Sequence, residues 1–164
     1  CDSPQALLAR GPFDLVMIGT PNHLHYEHLN LALDAGWPVF AEKPIVRTEE
    51  ESYALARRLA EGDGPPLFIG LVMRSMSIVR ETIARCDSGE LGEIHAIRAV
   101  FSYHNVDPQN VRNMADIGGG GRRDIGCYPI VGSRFLFEAE PKRVVSLIER
   151  DPKFKTDMLA SGRA

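Results

Sequence analysis

Phe13-Asp-Leu-Val-Met-Ile-Gly-Thr20 is a nearly continuous apolar run, the pattern of a strand buried on both faces in a parallel sheet. A helix is expected next, with Asn22 as N-cap, an apolar stripe of Leu24, Leu31, Ala32 and Ala35, and Gly36 just past its end. Trp37-Pro-Val-Phe-Ala41 reads as a second buried strand from Pro38 to Ala41. Thr48-Glu-Glu-Glu51 has the spacing of a capping box and opens a second helix, carrying Ala54, Leu55 and Leu59 to a turn at Gly62–Pro66. Pro66-Leu-Phe-Ile-Gly-Leu-Val72 is a third strand candidate. Strands alternating with helices of this size form βαβαβ, whose parallel crossovers are right-handed almost without exception. The expectation is one half of a doubly wound parallel sheet.

After Met73 the texture changes, which suggests two domains, 1–73 and 74–164. A helix is expected from Ser77 to Cys86, ending at Ser88-Gly89. Glu93 to Tyr103 reads as a long strand, with Ile94, Ala96 and Val100 on one face and a wetter opposite face. Residues 104–120 have little apolar content and are long enough for a functional loop. Gly118–Gly121 then lead into a helix through Phe137, and Lys142 to Glu149 reads as another strand.

Composition narrows the class. At 164 residues the chain can hold one domain with a core or parts of two. The net charge of −3 comes from interspersed signs without a basic stripe, so neither nucleic acid nor an anionic membrane is expected as a partner. Cys1, Cys86 and Cys127 are far apart and lack metal-ligand spacing, which argues against a disulfide framework or a zinc site and for a reducing cytoplasm. No apolar stretch approaches about 18 residues, and no signal-peptide pattern opens the chain. The start at Cys1 and the end at Ser161-Gly-Arg-Ala164 read as those of an internal piece of something longer.

The candidate chemistry starts at Glu42-Lys43-Pro44. These residues follow the second strand, and open α/β sheets bind ligands beyond the carboxyl ends of their strands. The Lys43–Pro44 bond is also a candidate for cis. Thr20-Pro21-Asn22-His23 follows the first strand in the same way, and His25 is a further candidate to line a nucleotide pocket there. His23, His25 and His28 lack the i, i+4 spacing of zinc helices, so no metal is expected. Arg74, just past the third strand, suits an anionic or polyhydroxyl ligand. The glycine run lacks the spacing of a dinucleotide fingerprint and reads as a tight turn bringing the next helix close to something. Asp124 and Tyr128 stand four apart, on one helical face. Pro129 interrupts helical hydrogen bonding there.

Four landmarks in this order, Thr20-Pro-Asn-His23, Glu42-Lys-Pro44, Ser88-Gly-Glu-Leu-Gly-Glu93 and Gly118-Gly-Gly-Gly-Arg-Arg-Asp-Ile-Gly-Cys-Tyr-Pro-Ile130, resemble the glucose-fructose oxidoreductase, inositol dehydrogenase and dihydrodiol dehydrogenase family, Gfo/Idh/MocA. The resemblance covers essentially the whole chain. It implies the C-terminal half of a Rossmann doubly wound parallel sheet, followed by the start of an α/β domain with an open, mainly antiparallel sheet. It further implies that Lys43 is the catalytic lysine with Asp124 and Tyr128 beside it, and that NAD or NADP is the cofactor. Thr20, Pro21, Asn22, His23, His25, Glu42 and Lys43 would then meet the cofactor. Lys43, Arg74, Asp124 and Tyr128 would meet a sugar, polyol or diol substrate. A homo-oligomer built through the C-terminal sheet is expected in the complete protein. Tyr128 stands where many members have histidine, which is closer to the sugar and dihydrodiol branch. Arg122-Arg123 departs from the small and apolar pair usual before the aspartate. The family's opening Gly-x-Gly-x-x-Gly loop is not among these residues. Two other readings stay open: an NAD-dependent glycosidase without net redox change, and a non-catalytic sugar-binding or assembly module.

Overall fold

A computed structural model describes residues 1–62 and 64–164. They divide into two compact units, Cys1–Leu71 and Val72–Ala164.

The first unit opens with a short helix that the apolar pattern did not signal, α1 (Pro4–Leu8), capped by the Ser3 hydroxyl accepting the Ala6 N–H. Then follow β1 (Val16–Ile18), α2 (Asn22–Asp34), β2 (Val39–Glu42), α3 (Glu49–Ala60) and β3 (Leu67–Gly70). The three strands form a parallel sheet in the order β1-β2-β3, with Ile18 opposite Ala41 and Glu42 opposite Gly70. This is the expected βαβαβ arrangement.

Local chemistry sets the helix ends. Thr48 and Glu51 form the expected capping box: Thr48 Oγ1 accepts the Glu51 N–H at 3.1 Å, and the Glu51 carboxylate accepts the Thr48 N–H at 3.3 Å. Helix α2 ends in a Schellman motif, with Gly36 at φ +81°, its N–H on the Leu33 carbonyl and the Trp37 N–H on the Ala32 carbonyl. Its start differs from expectation. Pro21, not Asn22, is the N-cap, and no side chain caps that end.

The core comprises Ile18, Leu29, Ala32, Leu33, Val39, Ala41 and Leu55. Burying Leu29 and Val39 completely stabilises the unit by roughly 1.5–3 kcal/mol each. The buried face of α2 is His25, Leu29, Ala32 and Leu33, rotated from the expected stripe, because a histidine takes the first inward position. The strands are also not buried on both faces. Met17 is 68 % exposed and Phe68 56 %, because side chains alternate along a strand and the residues of α2 and α3 in this core pack with the face carrying Ile18, Val39 and Ala41. The Lys43–Pro44 and Gly11–Pro12 bonds are cis.

The second unit contains α4 (Ser77–Asp87), α5 (Cys127–Phe137) and an antiparallel pair, β4 (Val145–Arg150) with β5 (Asp157–Arg163). The expected strand over 93–103 does not form. A strand exists only with a neighbour to complete its hydrogen bonds, and no described strand pairs with this segment. Val100 and Phe101 stay exposed. Strand β5 went unread in the sequence because its alternation is broken by Ser161 and Gly162. Both β4 and β5 are exposed along nearly their whole length.

Candidate active site

In the first unit the residues beyond the strand ends are drawn together by His25. Its ring is buried, with Nδ1 2.8 Å from the Pro44 carbonyl oxygen and Nε2 on the Thr20 carbonyl. Both partners are carbonyl oxygens, which only accept, so the ring nitrogens face an acceptor on each side. This ties the end of β1 to the segment after β2, on which Lys43 stands. Both nitrogens of His25 are thus engaged within the protein. Thr20 Oγ1 lies 3.2 Å from His28 Nδ1. Glu42 lies over Gly70, where an added Cβ would meet its carboxylate at 3.1 Å. His23 Nδ1 is buried and has no hydrogen-bond partner among the described residues.

In the second unit the glycine run does what its conformational freedom predicts. Gly118 and Gly120 take φ of +90° and +122°, and the N–H groups of Gly119 and Gly120 bond to the carbonyls of Met114 and Arg112. A Cβ on Gly119 would stand 2.6 Å from the Arg112 and Met114 oxygens. The close approach folds the 3₁₀ turn Val111–Asn113 onto the start of the following helix. Arg112 thereby reaches Asp124: Nε to Oδ2 is 2.7 Å, with the Asp124 side chain 18 % exposed. The Tyr103 hydroxyl also donates to Asp124. Burial, and then the Asp124 charge, push the Tyr103 phenol above its ordinary value, while the carboxylate pushes the Arg112 guanidinium up. Asp157 accepts the Arg122 N–H beside Gly120.

Asp124 and Tyr128 do not share a regular α-helical turn. Residues Arg122–Gly126 form a π-helical turn, and α5 starts at Cys127. The i→i+5 bonding of that turn changes the register, and Pro129, which has no N–H, follows immediately. Tyr128 stacks on Phe101, ring centres 6.3 Å apart and planes 18° from parallel. Arg74, in the turn Val72–Ser75, lies over the Phe135 ring at 5.4 Å, a cation–π contact with α5. Sequence reasoning overlooked Tyr103, Arg112 and Asp157. No periodic signal marks them, because each acquires its meaning through a contact distant along the chain. Among the described residues no three His, Cys, Asp or Glu gather as a metal site, and no helix is long and apolar enough to cross a membrane.

Known proteins match both units. Residues 1–69 match the family described as an oxidoreductase family with an NAD-binding Rossmann fold, and residues 79–163 match the GFO/IDH/MocA C-terminal domain. An uncharacterized oxidoreductase of Rhizobium meliloti, ORF334, is 38 % identical over 157 residues, covering 94 % of this chain and 46 % of the relative. D-xylose 1-dehydrogenase (NADP(+)) 2 of Haloferax volcanii is 33 % identical over 143 residues, covering 87 % and 43 %. Among solved structures, a 3-ketoreductase of Actinomadura kijaniata in complex with NADP and TDP-benzene superposes with a TM-score of 0.80 at 29 % identity, covering 93 % of this chain and 46 % of that one. The chain therefore spans about half the length of the relatives it matches. With both of its units accounted for in this way, the chain belongs to the Gfo/Idh/MocA oxidoreductase family.

Proposed function

We propose that the chain carries the reacting residues of an NAD(P)-dependent oxidoreductase that transfers a hydride between a nicotinamide and a hydroxyl-bearing carbon of a sugar, polyol or diol. The observation that carries this reading is the position of Lys43 directly after β2, at the carboxyl end of a parallel sheet, where such folds bind their ligands. The sugar-directed names of its relatives support the substrate class.

The residues present fit a nicotinamide end. His23 Nδ1 is buried without a partner among the described residues, and the N-terminus of α2 has no side-chain cap. A group carrying both donors and acceptors, such as a carboxamide, satisfies that corner. Thr20, Pro21, Asn22 and His23 would hold it, with Glu42 and Lys43 at the next strand end. When bound, the nicotinamide accepts or returns the hydride.

The remaining chemistry belongs to the chain. Oxidising an alcohol requires loss of the hydroxyl proton, and a phenol with a pKa of about 10 is a weak base near neutrality. The ammonium of Lys43 supplies a positive field for a developing alkoxide, and Tyr128 supplies the group that exchanges the hydroxyl proton. Asp124 accepts a hydrogen bond from a substrate hydroxyl and orients the reacting carbon. In the complete protein, the exposed apolar side chains of β4 and β5 serve assembly into a homo-oligomer.

The test is net reduction of NAD or NADP by free sugars, polyols and diols, using a full-length protein that carries this chain. Activity that disappears on Lys43→Met supports the reading. Glycoside cleavage without net cofactor reduction would replace it.

A further inference from the structure

The carboxylate of Asp124 stands on a π-helical turn, whose register differs from that of a regular α-helix. Two groups from outside that turn grip it. Arg112 bonds through Nε to Oδ2 at 2.7 Å, and Tyr103 donates its hydroxyl to the same carboxylate. Both arrive from the segment 93–120, which has no regular strand or α-helix in this structure. Each is secured independently. Arg112 is placed by its own carbonyl accepting the Gly120 N–H and by Asn110 Oδ1 accepting the Arg112 N–H at 3.0 Å. Tyr103 lies two residues from Phe101, which is stacked on Tyr128.

We propose that Arg112 and Tyr103 are positioning residues for Asp124, together fixing the direction in which its carboxylate meets a substrate hydroxyl. The inference rests on the reading of Asp124 as a substrate-orienting group. Charge-assisted bonds of this kind are stronger than neutral ones and set direction as well as distance. Arg112 therefore acts through geometry and charge together, Tyr103 through geometry alone. The segment read in sequence as a strand and a functional loop becomes the part that aims the carboxylate.

The experiment uses the full-length protein and four variants, Arg112→Gln, Arg112→Lys, Tyr103→Phe and Asp124→Asn, each assayed for cofactor reduction and titrated at alkaline pH by tyrosine absorbance. Arg112→Gln is expected to raise KM for the substrate about tenfold or more, the scale of a lost bond to a charged group, with the Kd for NAD(P) unchanged. Arg112→Lys should restore part of that loss. Tyr103→Phe should raise KM less and remove one late-ionising phenol from the titration. Asp124→Asn should bring the Tyr103 ionisation down. KM values within twofold of the parent in both Arg112→Gln and Tyr103→Phe, while Asp124→Asn is impaired, overturn the positioning role and leave the reading of Asp124 intact. An unimpaired Asp124→Asn overturns that reading and the positioning role with it. A Tyr103 band unmoved by Asp124→Asn shows that the grip is absent and overturns the proposal by itself.

Discussion

Arg112 Nε lies 2.7 Å from Asp124 Oδ2 across twelve residues of chain, and what permits the approach is Gly119. A Cβ at that position would stand 2.6 Å from two backbone carbonyl oxygens, which cannot rotate away as a flexible side chain would. Gly119→Ala is therefore expected to destabilise the second unit by about 1–3 kcal/mol, the usual cost of overpacking, and to loosen the Arg112–Asp124 pair. Chemical denaturation measures the first effect. An unchanged midpoint would show that the turn relaxes without cost.

His25→Phe should roughly keep the volume of the buried ring but remove its polar contacts with the Thr20 and Pro44 carbonyls. The expected loss is about 1–3 kcal/mol, the cost of leaving a partly buried polar group unpaired. Because the same ring joins the two strand ends, the variant should also disturb Lys43 in a full-length protein. Urea unfolding, with slope and midpoint both recorded, checks the energetic part.

Tyr103 has its folded pKa raised above the ordinary 10.0, first by burial and then by the charge of Asp124. A folded pKa above the unfolded value means that the folded state holds the proton more tightly. This contribution to stability is fully present below pH ~10 and is lost as pH rises through the folded pKa. Stability should therefore fall with increasing pH above about 10, and Tyr103→Phe should flatten that part of the slope. Thermal melts across the alkaline range measure it, and equal slopes in parent and variant would count against the contact.

In a full-length protein, Lys43→Met and Tyr128→Phe are each expected to lower turnover by about 10² to 10⁴, the usual share of a positioned proton-transfer group. Cofactor affinity should largely survive. Asp124→Asn should lose less, partly in KM. On the proposed reading, in which both residues serve one proton transfer, the Lys43→Met and Tyr128→Phe pair should be strongly non-additive. If the losses multiply, or if Tyr128→Phe turns over normally, the base lies elsewhere.

The 164-residue chain by itself should bind NAD(H) or NADP(H) only weakly, since it contains no Gly-x-Gly-x-x-Gly, the loop whose amides hold a pyrophosphate. It should also self-associate. Val145, Leu147 and Leu159 share one face of the β4–β5 pair and are 70 %, 76 % and 58 % exposed, and an unpaired apolar strand edge invites pairing. Calorimetry and sedimentation test the two statements separately. Tight dinucleotide binding would contradict the first, and a monodisperse monomer the second.

Local signals in the sequence determined whatever is settled over a few residues. The alternation of apolar runs with helical stripes yields a parallel βαβαβ unit, because helical crossovers between parallel strands are right-handed almost without exception; the strand order itself came from the structure. The capping box at Thr48, the Schellman turn at Gly36 and the identity of Lys43, Asp124 and Tyr128 as candidates were legible for the same reason. Each is marked by a short motif around it in the chain. Residues 93–103 mark the limit, since a strand-like pattern there has no described partner and so makes no strand. Only the tertiary structure decided that His25 turns inward to bridge two carbonyls, displacing Leu24 from the buried face. It alone decided that Arg112 and Tyr103 grip Asp124 and that a π-helical turn replaces the expected regular register. These are long-range contacts whose energy depends on distance and direction in space, and spacing along the chain carries no trace of either.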